Sequence, residues 1–151
     1  MKLLIDTNII MDFFEKRSGA EAAKELFMLA EDNSQYECVT SSSVTDVLYL
    51  LAKAMKKSNA MLPEEEKKTN REIASLARER VELLLSVIHV LPTTEKSIKS
   101  ALALKWNDTE DALQYIVAKE NLVDVIITNN KDDYECKDIK VMTAKEFLDL
   151  L

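Results

Sequence analysis

The stretch that most constrains this chain is its start, Met1 to Asp12, MKLLIDTNIIMD. Lys2–Ile5 is a short apolar run with almost nothing before it, and Asp6-Thr7-Asn8 ends it abruptly. A run of that length suits a buried strand that delivers polar groups at its carboxyl end. Open α/β sheets place their ligands beyond the carboxyl ends of their strands, so Asp6 is the first residue to suspect of chemistry. Taken alone, an acid at that point does no more than begin a turn. Thr7 or Asn8 is positioned to cap a helix outlined by the spacing of Ile9, Ile10, Phe13 and Phe14.

A chain of 151 residues with 47% hydrophobic content fits one domain with an ordinary core. Its apolar runs are short and interrupted by charge, so no spanning helix is expected. Asp6 breaks the only N-terminal stretch that could resemble a secretory signal, and the expected location is the cytoplasm. Cys38 and Cys136 are far apart and lack any Cys-x-x-Cys or His spacing, which argues against a zinc site or disulfide framework. With 27 acids against 20 bases the formal charge is −7, the wrong sign for a generic nucleic-acid binder. A phosphate-bearing partner then requires that clustered carboxylates hold divalent cations that invert the local charge. The single histidine, His89, leaves little scope for His-based acid–base chemistry.

Further along, Gly19 is expected to split a helical region into one helix ending near Lys16 and another spanning about Ala20 to Glu31. Tyr36 to Thr40 reads as a second strand, and strand, helix, helix, strand at this spacing implies a parallel α/β arrangement. Ser41 to Ser43 would cap the next helix, which carries Asp46 near its start, where the helix dipole alone would favour an acid. Lys53 to about Leu85 is expected to form a polar helical excursion, with a loop or helix hairpin at Lys57 to Leu62 and a helix from Glu64 after Pro63. Ser86 to Leu91 is a third β-prone segment that encloses His89 among apolar neighbours, where a hydrogen-bonded core or edge histidine is expected. A helix from Glu95 to Leu104 follows the cap at Thr93-Thr94.

The segment KWNDTEDALQYIVAKE places Asp108, Glu110 and Asp111 within four positions at the start of a helix. Capping accounts for Asp108 and Asp111 but not for all three acids. Val125 to Thr128 is the clearest remaining strand, and it ends in Asn129, Asn130, Lys131, Asp132 and Asp133. Val141 and Met142 supply an edge strand, and Thr143 caps a closing helix. In a parallel sheet these strand ends share one side, so Asp6, Asp46, Asp108 or Asp111, and Asp133 can converge. Carboxylates gathered in this way resist ionising together unless cations join them. All-oxygen donors select Mg²⁺ or Mn²⁺, and the chemistry favoured is hydrolysis of a phosphodiester.

Taken together and in order, LLIDTNIIMD, TSSSVTDVLYLLAK, NDTEDALQYIVAKE and VIITNNKDDY resemble a PIN domain across essentially the whole chain. The resemblance implies a three-layer α/β/α sandwich around a central mostly parallel sheet, spanning 1–151 as a single domain. It also implies a Mg²⁺- or Mn²⁺-dependent endoribonuclease acting on an RNA substrate. Chains of this length resemble the toxins of VapBC-type toxin–antitoxin modules, which implies a small antitoxin partner and a homodimer. Carried over by position, Asp6 matches the family's first acid, Asp46 stands where many members carry Glu, and Asp111 matches the acid of the Asp-Ala segment. Asn130 occupies the place of a later acid, with Asp133 the nearest substitute. The expected catalytic acids are thus Asp6, Asp46, Asp111 and Asp133. The expected metal ligands are Asp6, Asp46, Asp108 and Asp111, supported by Thr7, Asn8, Thr128 and Asn130. The departure at Asn130 leaves a second reading open, a PIN-like interaction module without turnover. An Asp-nucleophile phosphatase would need an acid at Asn8 and does not fit.

Overall fold

The computed structural model describes residues 1–151. Five strands, β1 (Lys2–Ile5), β2 (Tyr36–Thr40), β3 (His89–Leu91), β4 (Val125–Ile127) and β5 (Lys140–Met142), form one sheet in the order β3-β2-β1-β4-β5. Every pairing is parallel; Leu4 lies beside Cys38 on one side and beside Ile126 on the other. The helices are α1 (Thr7–Glu15), α2 (Ala20–Glu31), α3 (Ser41–Ala60), α4 (Asn70–Leu85), α5 (Glu95–Leu104), α6 (Thr109–Glu120) and α7 (Ala144–Leu148).

Successive strand residues point to opposite faces, and both faces are covered. Leu3, Ile5, Val39, Val125 and Ile127 join α1–α4 and α7 in the larger core. Leu4, Cys38, Leu91 and Ile126 pack with Tyr115, Val117 and Ala118 of α6 in the smaller one. The architecture is therefore the expected three-layer α/β/α sandwich. It also explains why β1 reads as an unbroken apolar run: Leu3, Leu4 and Ile5 are all fully buried, each contributing about 1.5–3 kcal/mol of transfer free energy.

From β1 the chain turns through α1 and α2 to β2, whereas β4 joins β1 from the opposite side after α5 and α6. The strand order therefore switches direction between β1 and β4. Such a switch opens a crevice beyond the strand ends, and Asp6 and Thr128 stand at its two lips.

Several local expectations are corrected. Gly19 has an ordinary φ of −84°; the break after α1 is made by Lys16, in the left-handed conformation at φ 53°. Gly19 is needed for space instead, since a Cβ there would lie 2.2 Å from an oxygen of Asp12. Thr40, not the serines after it, caps α3 by accepting from the Ser43 amide. The helix then continues to Ala60, into the segment expected as a loop or helix hairpin. Glu64–Glu66 make only one 3-10 turn, and α4 starts at Asn70, where Thr69 and Glu72 form a reciprocal capping box. The Asn59 side chain pins the connection by exchanging hydrogen bonds with the Lys68 backbone at 2.8 and 2.9 Å. His89 is exposed on edge strand β3, where its ring stacks on Tyr36 at 4.1 Å.

Candidate active site

Asp6 is the N-cap residue of α1, yet its side chain makes no capping hydrogen bond. Its carbonyl serves the helix instead, accepting from the amides of Ile9 and Ile10. The carboxylate is left to turn into the crevice, where it is 4% exposed. Gln114 Nε2 donates to its Oδ1 at 2.8 Å. Thr128 Oγ1 at 2.7 Å, Asn8 Nδ2 at 3.2 Å and the Tyr134 hydroxyl at 3.3 Å donate to its Oδ2. Four donors from α1, α6, the end of β4 and the following segment hold one carboxylate in a single orientation. Hydrogen bonds of this kind make the burial of a carboxyl group tolerable.

Beside it, Asp108 caps α6 by accepting from the Asp111 amide at 3.0 Å, which places Asp111 in the helix's first turn. Asp133 approaches from the turn after β4, and single carboxylate oxygens of Asp108, Asp111 and Asp133 all lie within 4.8 Å of one another. Asp111 is buried, and its carboxyl is pushed up to about 7, first by burial and then by the charges of Asp6, Asp108, Asp133 and Glu110. Glu110 lines the crevice with Asp46 and is likewise pushed up to about 7, with burial the larger cause and the Asp46 carboxylate the next. Asp46 lies beyond the first turn of α3, which has no acid. The helix dipole therefore does not explain its position.

The crevice has a volume of about 390 Å³, and Asp6, Asp46, Asp108, Glu110 and Asp111 line it together with Asn130. Asn8 also accepts from the Asn129 amide at 3.1 Å, tying α1 to the segment after β4. Asn130 anchors its own amide on Thr128 Oγ1 at 3.0 Å. Thr7 lines the crevice too, and its buried hydroxyl has no hydrogen-bond partner within the protein.

These residues fit a hard divalent ion. The donors are all oxygen, three carboxylates converge within chelating distance, and the orphaned Thr7 hydroxyl can receive a water of the ion's shell. The like charges that push Asp111 upward are the ones an added cation would neutralise.

Some participants lie outside the sequence-based set. Glu110 was visible as the acid that capping left unexplained. Gln114 lies one turn after Asp111, on the same helical face, and a buried glutamine in an otherwise apolar stripe is the signal that could have identified it. Tyr134 gives no local sign, because only the fold brings it to Asp6.

Comparison with known proteins gives a consistent result. Residues 2–132 match the sequence family described as PIN domain. The chain is 27% identical over 153 residues to Ribonuclease VapC1 of Aquifex aeolicus (strain VF5), covering 97% of this chain and 92% of that protein. Among solved structures it superposes on a chain of VapBC2 from Rickettsia felis, bound to a DNA fragment from the promoter, with a TM-score of 0.62 at 14% identity over 93% of this chain and 97% of the other. A toxin–antitoxin complex from Klebsiella pneumoniae gives 0.60 at 20% identity over 94% and 97%.

Proposed function

This chain belongs to the PIN-domain family, and from that premise we propose that it is a divalent-metal-dependent endoribonuclease and the toxin of a toxin–antitoxin pair. The observation that carries this reading is the convergence of Asp108, Asp111 and Asp133 within 4.8 Å, beside an Asp6 fixed by four donors. An acidic cluster of this kind binds an RNA backbone only when cations neutralise it. The similarity to a ribonuclease over nearly the whole chain supports RNA as the substrate.

In this reading Asp108, Asp111 and Asp133 would hold Mg²⁺ or Mn²⁺, with Asp6 and Asp46 lining the same crevice as Asp108 and Asp111. The bound ion supplies a water of lowered pKa and a counter-charge for the phosphate. Asp6 is held in one orientation by its four donors, and so offers a fixed acceptor for a water at the crevice. Thr7 and Asn130 orient water or substrate at the lips of the crevice. Glu110 and Asp46 line the same crevice and add to the negative charge that a bound cation would offset. The toxin assignment, with a small antitoxin that covers the acidic crevice and a homodimer as the working unit, is supported by the resemblance of the fold to chains of toxin–antitoxin complexes.

The test is cleavage of a mixed structured and single-stranded RNA pool with Mn²⁺, Mg²⁺ or EDTA, by wild type and by Asp6→Asn. Metal-dependent cleavage that disappears in the folded variant is the expected result. Equal cleavage by both proteins would remove Asp6 from the mechanism. Metal binding without turnover on any RNA would favour an interaction module.

A further inference from the structure

Among the residues lining the acidic crevice, Arg17 is the only cation. It follows Lys16 at the turn between α1 and α2, and its backbone is fixed at both ends: its amide donates to the Asp12 carbonyl and its carbonyl accepts from the Ala20 amide, each at 3.0 Å. The absence of a side chain at Gly19 lets this turn close over Asp12. The guanidinium pairs with Glu15 and stands 3.9 Å from Asp12, while half of the side chain stays exposed. Asp12 is meanwhile engaged by Asn129 Nδ2 at 2.8 Å. One fork of donors is thus held at the rim by a hydrogen-bonded turn, half exposed and shared between the close Glu15 carboxylate and the more distant Asp12, whose Oδ2 already accepts from Asn129; ion pairs of so exposed a cation exchange readily.

Resting on the ribonuclease reading above, we propose that Arg17 is the residue with which the crevice grips the RNA backbone. Its guanidinium takes the non-bridging oxygens of a phosphate neighbouring the one held over the carboxylates. A planar guanidinium meets two phosphate oxygens at once, which fixes the register of the strand as well as attracting it. The carboxylates and their ion can hold only the phosphate being cleaved, so an acidic protein needs such a contact to orient the rest of the strand.

The experiment is steady-state cleavage of an oligoribonucleotide by wild type, Arg17→Ala and Arg17→Lys over a salt series, with thermal unfolding of each. Arg17→Ala should raise KM about tenfold with kcat within about twofold, as expected for one lost charge-assisted contact. It should also flatten the dependence of log kcat/KM on log salt by about 0.7, the share of one phosphate on a single strand. Arg17→Lys should restore the salt slope but only part of the KM, because an ammonium cannot make the two-oxygen contact. Wild-type KM and salt slope in an Arg17→Ala protein that merely melts earlier would overturn the inference alone, leaving Arg17 a structural tie to Asp12. An inactive wild type under every metal would overturn the ribonuclease reading and this inference with it.

Discussion

Gln114 Nε2 donates to Asp6 Oδ1 at 2.8 Å, joining two residues 108 positions apart, one at the end of β1 and the other on α6. The glutamine is 1% exposed, so the bond is sheltered from competing water. Gln114→Leu keeps the volume but removes the donor, leaving Oδ1 of a buried carboxylate unpartnered. The expected cost is about 1–3 kcal/mol in stability. Cleavage should fall about 10–100-fold, the usual penalty for losing a group that orients a metal-site residue. Urea unfolding and cleavage rates measured on the same preparation check both figures; an active variant of wild-type stability would show that Asp6 needs no such clamp.

Gly19 and Asp12 make a second testable pair. Gly19→Ala would place its Cβ 2.2 Å from Asp12 Oδ2, the same oxygen that accepts from Asn129. Asp12 must then move, and the variant should lose about 1–3 kcal/mol. In an Asp12→Ala background the clashing carboxylate is gone, the remaining Cβ lies at an ordinary 3.5 Å, and the same substitution should be close to neutral. A double-mutant cycle on chemical denaturation reads the coupling directly. Equal losses in both backgrounds would point to the turn backbone and away from the carboxylate.

The acids of the crevice should trade stability against activity. Asp111 sits among Asp6, Asp108, Asp133 and Glu110, and its carboxyl is pushed up to about 7, above its unfolded value of 3.8. Stability is therefore lost as pH rises from about 4 to about 7 in metal-free protein. At pH 8 Asp111→Asn should melt higher than wild type in EDTA, by about 2–4 °C for each ~1 kcal/mol of repulsion relieved. Adding Mn²⁺ should raise the wild-type midpoint, and the variant much less, because binding to the native state alone stabilises it. Differential scanning fluorimetry in the presence and absence of metal decides the matter.

Glu37 predicts a separate pH effect, remote from the crevice at the opposite end of β2. It is 1% exposed, neither of its carboxyl oxygens has a partner, and burial pushes it from 4.5 up to about 8. Below about pH 4.5 it is neutral in both folded and unfolded chains. Between about 4.5 and 8 the unfolded chain ionises and the folded one does not, so stability falls as pH rises, and the loss is complete above the folded value. Across that window the decline is on the order of a few kcal/mol. Glu37→Gln should flatten it, with the variant gaining on wild type from pH 5 to pH 8. Parallel stability curves for the two proteins would show that Glu37 ionises freely in the fold.

Much of this architecture is already written in the local pattern. The apolar runs of β1 and β4 lack alternation because both faces of the sheet are covered, and that is visible without coordinates. Asp108 capping α6 and placing Asp111 in its first turn follows from spacing within one helix, as does the Thr94 cap of α5. Boundaries fared less well where two local signals competed. Pro63 and three glutamates look like a helix start, but the reciprocal Thr69–Glu72 cap won and left them a single 3-10 turn. Gly19 looked like a helix breaker because glycine usually is one, whereas Lys16 took the left-handed conformation and Gly19 served to admit Asp12.

By itself, then, the sequence determined the strands, most of the helices and the ends at which Asp6, Asp111 and Asp133 emerge, because those depend on periodicity and capping among near neighbours. Only the tertiary structure decided what surrounds each acid. The Gln114 and Tyr134 bonds to Asp6, the meeting of Glu110 and Asp46 in one crevice, and the single guanidinium at the rim all join residues from elements brought together by the strand order. Hydrogen bonds and charge interactions act over a few ångströms of space whatever the separation along the chain, and it is the parallel sheet, switching direction between β1 and β4, that sets those distances.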